Sequence, residues 1–145
     1  MKIKMKLIYY IVLFLIVLST TLTAQTSFKV IVNAANPVSS LSKMEVQRCF
    51  LKKTTQWEDG TQIQPVDLKS DSPVREQFTK DILNKTVSAV KSYWQGQIFS
   101  GSGLPPQEVA NDRAVLEYVR NNPGGIGYVS RSTSVGSGIK VLTFK

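Results

Sequence analysis

Strands and helices mix along this chain, a pattern that predicts a layered α/β domain. Three observations carry the prediction: β-branched, apolar runs at Phe28 to Val32 and Ile63 to Leu68, serine-marked helix starts at Ser42 and Ser72, and helical apolar faces between Val74 and Val119. No internal repeat interrupts the order.

The first residues stand apart from this domain. Lys2, Lys4 and Lys6 precede an apolar run from Leu7 to Leu18, then polar Ser19-Thr20-Thr21 and the tripeptide Leu22-Thr23-Ala24. These are the charged, apolar and cleavage regions of a secretory signal, with the cut expected after Ala24. The run is shorter than the roughly 20 residues that span a bilayer, which weighs against an uncleaved anchor. No cysteine follows the cut to carry a lipid. Residues 1–24 are read as a signal peptide and residues 25–145 as one periplasmic or secreted domain, without stable membrane insertion after cleavage.

Phe28 to Val32 reads as a largely buried strand that breaks at Asn33-Ala34-Ala35-Asn36-Pro37. Ser42 with Glu45 forms a capping box, and Leu41 with Val46 the hydrophobic staple across it. A helix is expected from Lys43 to about Leu51, burying Val46, Cys49 and Phe50. Glu58-Asp59-Gly60 reads as a turn, and Trp57 beside it as a plug at the edge of the core. The strand at Ile63 to Leu68 leads to Ser72-Pro73, a hydroxyl cap followed by a ring whose missing N–H costs nothing at the first helical position. Val74, Phe78 and Ile82 then recur on one helix face as far as a stop at Asn84.

A second helical stretch, Thr86 to Gln97, carries Val87, Val90 and Trp94 on one side. Phe99 to Pro106 is too rich in glycine and proline for regular structure; it is either a plain connector or a loop that brings backbone N–H groups to a ligand. Asp112 is the expected cap of a helix with Val115, Leu116 and Val119 on its core face, ended by Asn121-Asn122-Pro123-Gly124-Gly125. Ile126 to Val129 reads as a short buried strand and Ile139 to Phe144 as a final, mostly alternating one.

Composition narrows the chemistry. Removing the 24 leader residues from 145 leaves 121, enough for one domain with a real core. Taking the three leader lysines from the 18 basic residues leaves 15 against 10 acidic, a net charge of +5. The charges are scattered, apart from Lys52-Lys53, and lack the concentrated stripe with aromatics of a nucleic-acid surface. Cys49 is the single cysteine, so no internal disulfide forms; it is expected to be buried and inert. The absence of histidine removes Ser-His and Cys-His catalysis and the usual transition-metal sites. Glu58 and Asp59 fit turn chemistry better than an acid/base pair. No catalytic residue, metal or cofactor is therefore expected, and the chain is read as non-enzymatic.

The stretch Ser70 to Phe78 is where chemistry is most concentrated. A strand leading into an exposed helix start presents free N–H groups and the positive end of the dipole, and Arg75 adds a full charge one turn in. The oxyanion candidates are Ser70, Ser72, the N–H of Val74, and Arg75. The alternative is that Ser72 merely caps its helix.

With these elements placed, the sequence resembles one lobe of the type 2 periplasmic binding proteins, specifically the phosphate-binding proteins of ABC uptake systems. Leu41-Ser42 through Cys49-Phe50-Leu51, then Trp57, Asp59-Gly60, Ile63 and Pro65-Val66, is similar to the family's capped helix ending in Ile-Phe-Leu-Gly ahead of a Trp, a Gly and a strand. Arg75-Glu76-Gln77-Phe78 resembles the family's Ser-Gly-Thr-Arg helix start and its following Phe. Val119 with Asn122-Pro123-Gly124-Gly125-Ile126-Gly127-Tyr128-Val129 is similar to the family's Pro-Gly-Ala-Ile-Gly-Tyr-Val. The resemblance covers nearly all of the mature chain. It implies an α/β/α lobe with a mixed sheet, a phosphate-like oxyanion ligand and a transporter partner.

The departures change what is implied. Ser72-Pro73-Val74-Arg75 stands where the family has Ser-Gly-Thr-Arg: proline removes a backbone donor and valine a hydroxyl. Charge-assisted hydrogen bonds contribute about 1.5 to 3 kcal/mol each, so their loss weakens binding by orders of magnitude. Asp71 next door adds repulsion. In the family two lobes close over the ligand, and only one is present here. The expectation is weak binding of a small oxyanion, or binding in the cleft of a homodimer or against a partner protein. The alternative is an interaction module that kept the fold and lost the ligand, meeting its partner through the helix start or the Phe99 to Pro106 loop.

Overall fold

The computed structural model describes residue 3 and residues 27–145. The stretch read as a secretory leader, residues 1–24, otherwise lies outside the described residues, as do Gln25 and Thr26. The elements run β1 Phe28–Asn33, β2 Ser40–Leu41, α1 Lys43–Phe50, β3 Gln64–Leu68, α2 Pro73–Leu83, α3 Val87–Phe99, β4 Gln107–Val109, α4 Asp112–Asn121, β5 Gly125–Ser130, β6 Ile139–Val141 and β7 Thr143–Phe144. The main sheet is ordered β4-β3-β5-β1-β6, and β2 pairs with β7 in a small second sheet. The main sheet is mixed: β3 runs parallel to β4 and β5, whereas β1 is antiparallel to β5 and β6.

Period-two alternation on β5 sends neighbouring residues to opposite layers. A Cβ on Gly127 would come within 2.7 Å of Val115 and 3.3 Å of Val119, so α4 lies directly on that face and glycine is the residue that lets it approach. On the other face the Tyr128 ring stacks on Phe78 of α2, with centroids 3.8 Å apart, and lies 5.8 Å from Phe50 of α1. Phe28 of β1 meets Phe78 edge-on at 5.4 Å, completing a buried aromatic cluster. Ring contacts of this kind contribute about 0.5 to 1.5 kcal/mol beyond their area burial. The result is an α/β/α sandwich. Helix α3 packs against α2, and its Trp94 and Val90 are buried.

The caps behave largely as their chemistry predicts. Ser42 and Glu45 form the full capping box of α1, Ser72 caps α2 with Pro73 at its first position, and Asn84 ends α2 in the left-handed region at φ 52°. Thr86 caps α3. At α4 the capping residue is Asn111, whose Oδ1 accepts from the Ala114 N–H at 3.0 Å, one residue before the expected Asp112. Asp112 instead accepts from the Ser130 N–H at 2.9 Å and the Thr133 hydroxyl at 2.6 Å, tying α4 to the loop after β5.

The last run, expected as one strand, divides: β6 joins β1, β7 joins β2, and buried Leu142 between them donates its N–H to Val30 O at 2.9 Å. Trp57 plugs the core edge, its indole N–H donating to Gly124 O at 3.1 Å. Gly124 must stay small, because a Cβ there would lie 1.8 Å from Gln62 O. Cys49 is buried, and burial, with Glu45 nearby, pushes its thiol up to about 11. Among the described residues no helix is long and apolar enough to cross a membrane, and no cluster of acidic or cysteine side chains is placed to hold a metal ion.

Candidate functional site

In an open α/β sheet the carboxyl ends of parallel strands make a natural crevice. Here a cavity of about 260 Å³ opens beside β3 and β4 and the start of α2. Its charged floor is Asp67, Arg75 and Glu108; Val87, Trp94, Ile98, Pro105 and Pro106 form an apolar wall, and Ser70, Lys91 and Gln95 complete the lining. A broader groove of about 650 Å³, lined by Ser70, Glu76, Lys80, Asn84, Lys85, Thr86 and Val87, adjoins it through Ser70 and Val87.

The floor is assembled by strand register. Asp67 and Glu108 are directly opposite partners on β3 and β4. Like charges so placed repel unless a cation sits against both. Arg75 supplies it from the first turn of α2. Its Nη1 donates to Glu108 Oε1 at 2.5 Å and to Leu68 O at 2.6 Å, and its Nη2 lies 3.2 Å from Asp67 Oδ2. The Tyr128 hydroxyl donates to Asp67 Oδ1, and the Leu68 N–H to the same oxygen at 3.1 Å. The Arg75 and Asp67 side chains are 6% and 8% exposed, whereas that of Glu108 is 49% exposed. The buried pair is thus fixed, and the outer carboxylate faces water.

Burial sets the electrostatics of this cluster. It raises the Asp67 carboxyl above the usual carboxylate range, against the pull of Arg75 and the Tyr128 hydroxyl. Burial also works against the Arg75 charge, but Asp67 and Glu108 outweigh it and hold the guanidinium above its ordinary value. Burial and the neighbouring Asp67 push the Tyr128 phenol far above its normal range. The Arg75 Nε is buried without a hydrogen-bond partner among the described residues. An orphaned buried donor of this kind costs about 1 to 3 kcal/mol, which an incoming oxygen recovers only if the side chain shifts to uncover it.

The residues named from sequence are distributed around this floor. Arg75 is at its centre and Ser70 on its rim, while Ser72 and Val74 do not line the cavity. The Ser72 hydroxyl accepts from the Arg75 N–H at 3.3 Å and keeps its own proton to donate. Val74 is the second residue of α2, where the N–H has no partner within the helix. Sequence reasoning passed over Asp67, Glu108, Lys91 and Trp94 as site residues. Asp67 carried a usable signal: a lone acid within an apolar strand run must find a partner, and Arg75 was the nearest cation on an element with a known start.

Solved structures share this architecture. An ABC-type phosphate transport receptor from Vibrio cholerae superposes with a TM-score of 0.64 at 20% identity, covering 81% of this chain and 46% of that one. The fold of this chain resembles one lobe of a type 2 periplasmic binding protein. PstS from Borrelia burgdorferi matches the lobe equally well, with a TM-score of 0.64 at 14% identity over 82% of this chain and 47% of its own. The lobe therefore spans less than half the length of the structures it matches. No protein-family model matches it, and no curated protein matches it in sequence.

Proposed function

We propose that this chain is an exported, non-enzymatic solute-binding lobe that takes a small, phosphate-like oxyanion weakly at Arg75. The observation that carries the reading is a buried guanidinium in the floor of an open cavity with Nε still unpaired. Ser70 and Gln95 line the same cavity and add donors, and the Ser72 hydroxyl and the Val74 N–H, at the start of α2 outside that lining, would join a ligand that extends beyond it. Lys80, Lys85 and Lys91, which line the two adjoining depressions, add attraction at longer range. Affinity is low for two physical reasons: Arg75 already faces two carboxylates, and an open lobe leaves the ligand wet, where charge pairs are weak. A homodimer would supply the missing wall, and a transporter is the fitting partner by analogy of fold alone.

Calorimetry with inorganic phosphate at millimolar concentration tests this, comparing the native chain with Arg75→Lys, which keeps the charge but loses the planar fork. Heat of binding that is lost in the variant supports the reading, provided both proteins melt alike. No heat with any oxyanion sinks it.

One observation favours a second reading, a protein-interaction module. Phe99 is 96% exposed at the end of α3, beside Ile98 at 50% and Leu104 at 66%, and Ile98 continues into the cavity wall. Light scattering separates the two arrangements: a homodimer abolished by Phe99→Asp would assign these side chains to self-association, and a strict monomer would remove the dimer clause.

A further inference from the structure

We propose that Glu108 is an internal competitor for the anion: its carboxylate holds the Arg75 position that a ligand oxygen takes, and ligand binds by displacing it. The inference rests on the oxyanion reading above and adds to it the residue that sets affinity.

Four observations converge on Glu108. Its Oε1 lies 2.5 Å from Arg75 Nη1, a charge-assisted contact of the type a ligand oxyanion would make. It lines the same cavity as Arg75. Its side chain is 49% exposed, so it can exchange this contact for water, whereas Asp67 at 8% cannot. It sits on β4, a three-residue strand at the sheet edge, anchored on one side only. The two carboxylates therefore have different tasks. Asp67, held also by the Tyr128 hydroxyl and the Leu68 N–H, positions the guanidinium. The Glu108 carboxylate has no other hydrogen bond among the described residues than the one to Arg75 that an incoming anion would replace. Register makes the competition unavoidable, because Glu108 stands directly opposite Asp67 and reaches the same cation from the next strand.

The test is phosphate calorimetry on the full chain and on Glu108→Gln, with Glu117→Gln on the exposed side of α4 as a control for net charge. Glu108→Gln is expected to bind inorganic phosphate about tenfold tighter or more, the effect of removing one charge-assisted competitor. The control should leave affinity unchanged. Glu108→Ala repeats the test without an amide that could still accept from Arg75, and thermal melts confirm that each variant is folded. If the native chain binds phosphate and neither Glu108 variant tightens it, the competitor role is overturned and the oxyanion reading stands. If Glu117→Gln tightens binding equally, net charge explains the effect and the proposal fails. If no protein in the set binds phosphate, both fall together. Tightening that survives Arg75→Lys in the Glu108→Gln background places the anion elsewhere and also overturns the proposal.

Discussion

Helices α1 and α2 both begin with a serine cap, and the residue three positions on sets them apart. At α1 that residue is Glu45, whose carboxylate accepts from the Ser42 N–H at 2.7 Å while its own N–H donates to Ser42 Oγ at 3.2 Å. The start of α1 is closed on itself. At α2 the equivalent residue is Arg75, which cannot accept, and the Ser72 N–H goes instead to Lys69 O at 3.0 Å. The guanidinium reaches away from the helix to the β3 and β4 carboxylates, leaving the start open beside a cavity. A helix start becomes a candidate binding site when its third residue seeks partners outside the helix.

The strongest way to break the comparison is to remove one member of the buried pair. Asp67→Ala, leaving Arg75 without its inner partner, should cost about 3 to 5 kcal/mol in denaturant unfolding. Glu45→Ala at the closed start should cost clearly less, because that carboxylate is exposed and water replaces its lost contacts. Similar losses at the two sites would mean that the floor of the cavity is no more strained than an ordinary helix end. Tyr128→Phe is intermediate: it removes the hydroxyl donor to Asp67 but keeps the stacked ring, and about 1 to 3 kcal/mol is expected.

Smaller effects sharpen the contrast. Ser42→Ala and Ser72→Ala should destabilise by about 1 kcal/mol each, yet only Ser72→Ala should also weaken phosphate binding in calorimetry. Equal binding in both would reduce Ser72 to a cap.

A titration on the α1 side supplies the least of these effects. The unfolded Cys49 thiol ionises near 9, whereas the folded one holds its proton to about 11. The unfolded state therefore binds fewer protons across that window, so stability falls as pH rises from about 9 to about 11 and is fully retained below it. Cys49→Ala should flatten that part of a stability profile, and Tyr128, also raised, should add a loss of the same sign above its ordinary range.

What could be read from the chain follows the range of the forces involved. The caps at Ser42 and Ser72, the stop at Asn84 and the buried faces of α1 and α2 are local chemistry and were legible, whereas Thr86, read as the first residue of its helix, turned out to be its cap. Adjacent Asn111 and Asp112 are both competent caps, and tertiary contacts of Asp112 with Ser130 and Thr133 decided between them. Strands β2 and β4 were not foreseen, because two- and three-residue strands exist only through their partners. The same nonlocality hid half of the candidate site. Arg75 was visible as a cation at a helix start, but its pairing with Glu108 depends on a register formed between β3 and β4.

The position of β1 has a kinetic consequence. Its neighbours in the sheet are β5 and β6, so Phe28 waits for Ser130 and Asn33 for Ile139 before either can be hydrogen-bonded in its ladder. Contacts so distant along the chain make folding slow, because loop closure must come before the pairing that rewards it. A nascent chain that has not yet reached Gly125 holds its most apolar strand with no edge to join. Strand β1 therefore enters the sheet last, together with β5 and β6.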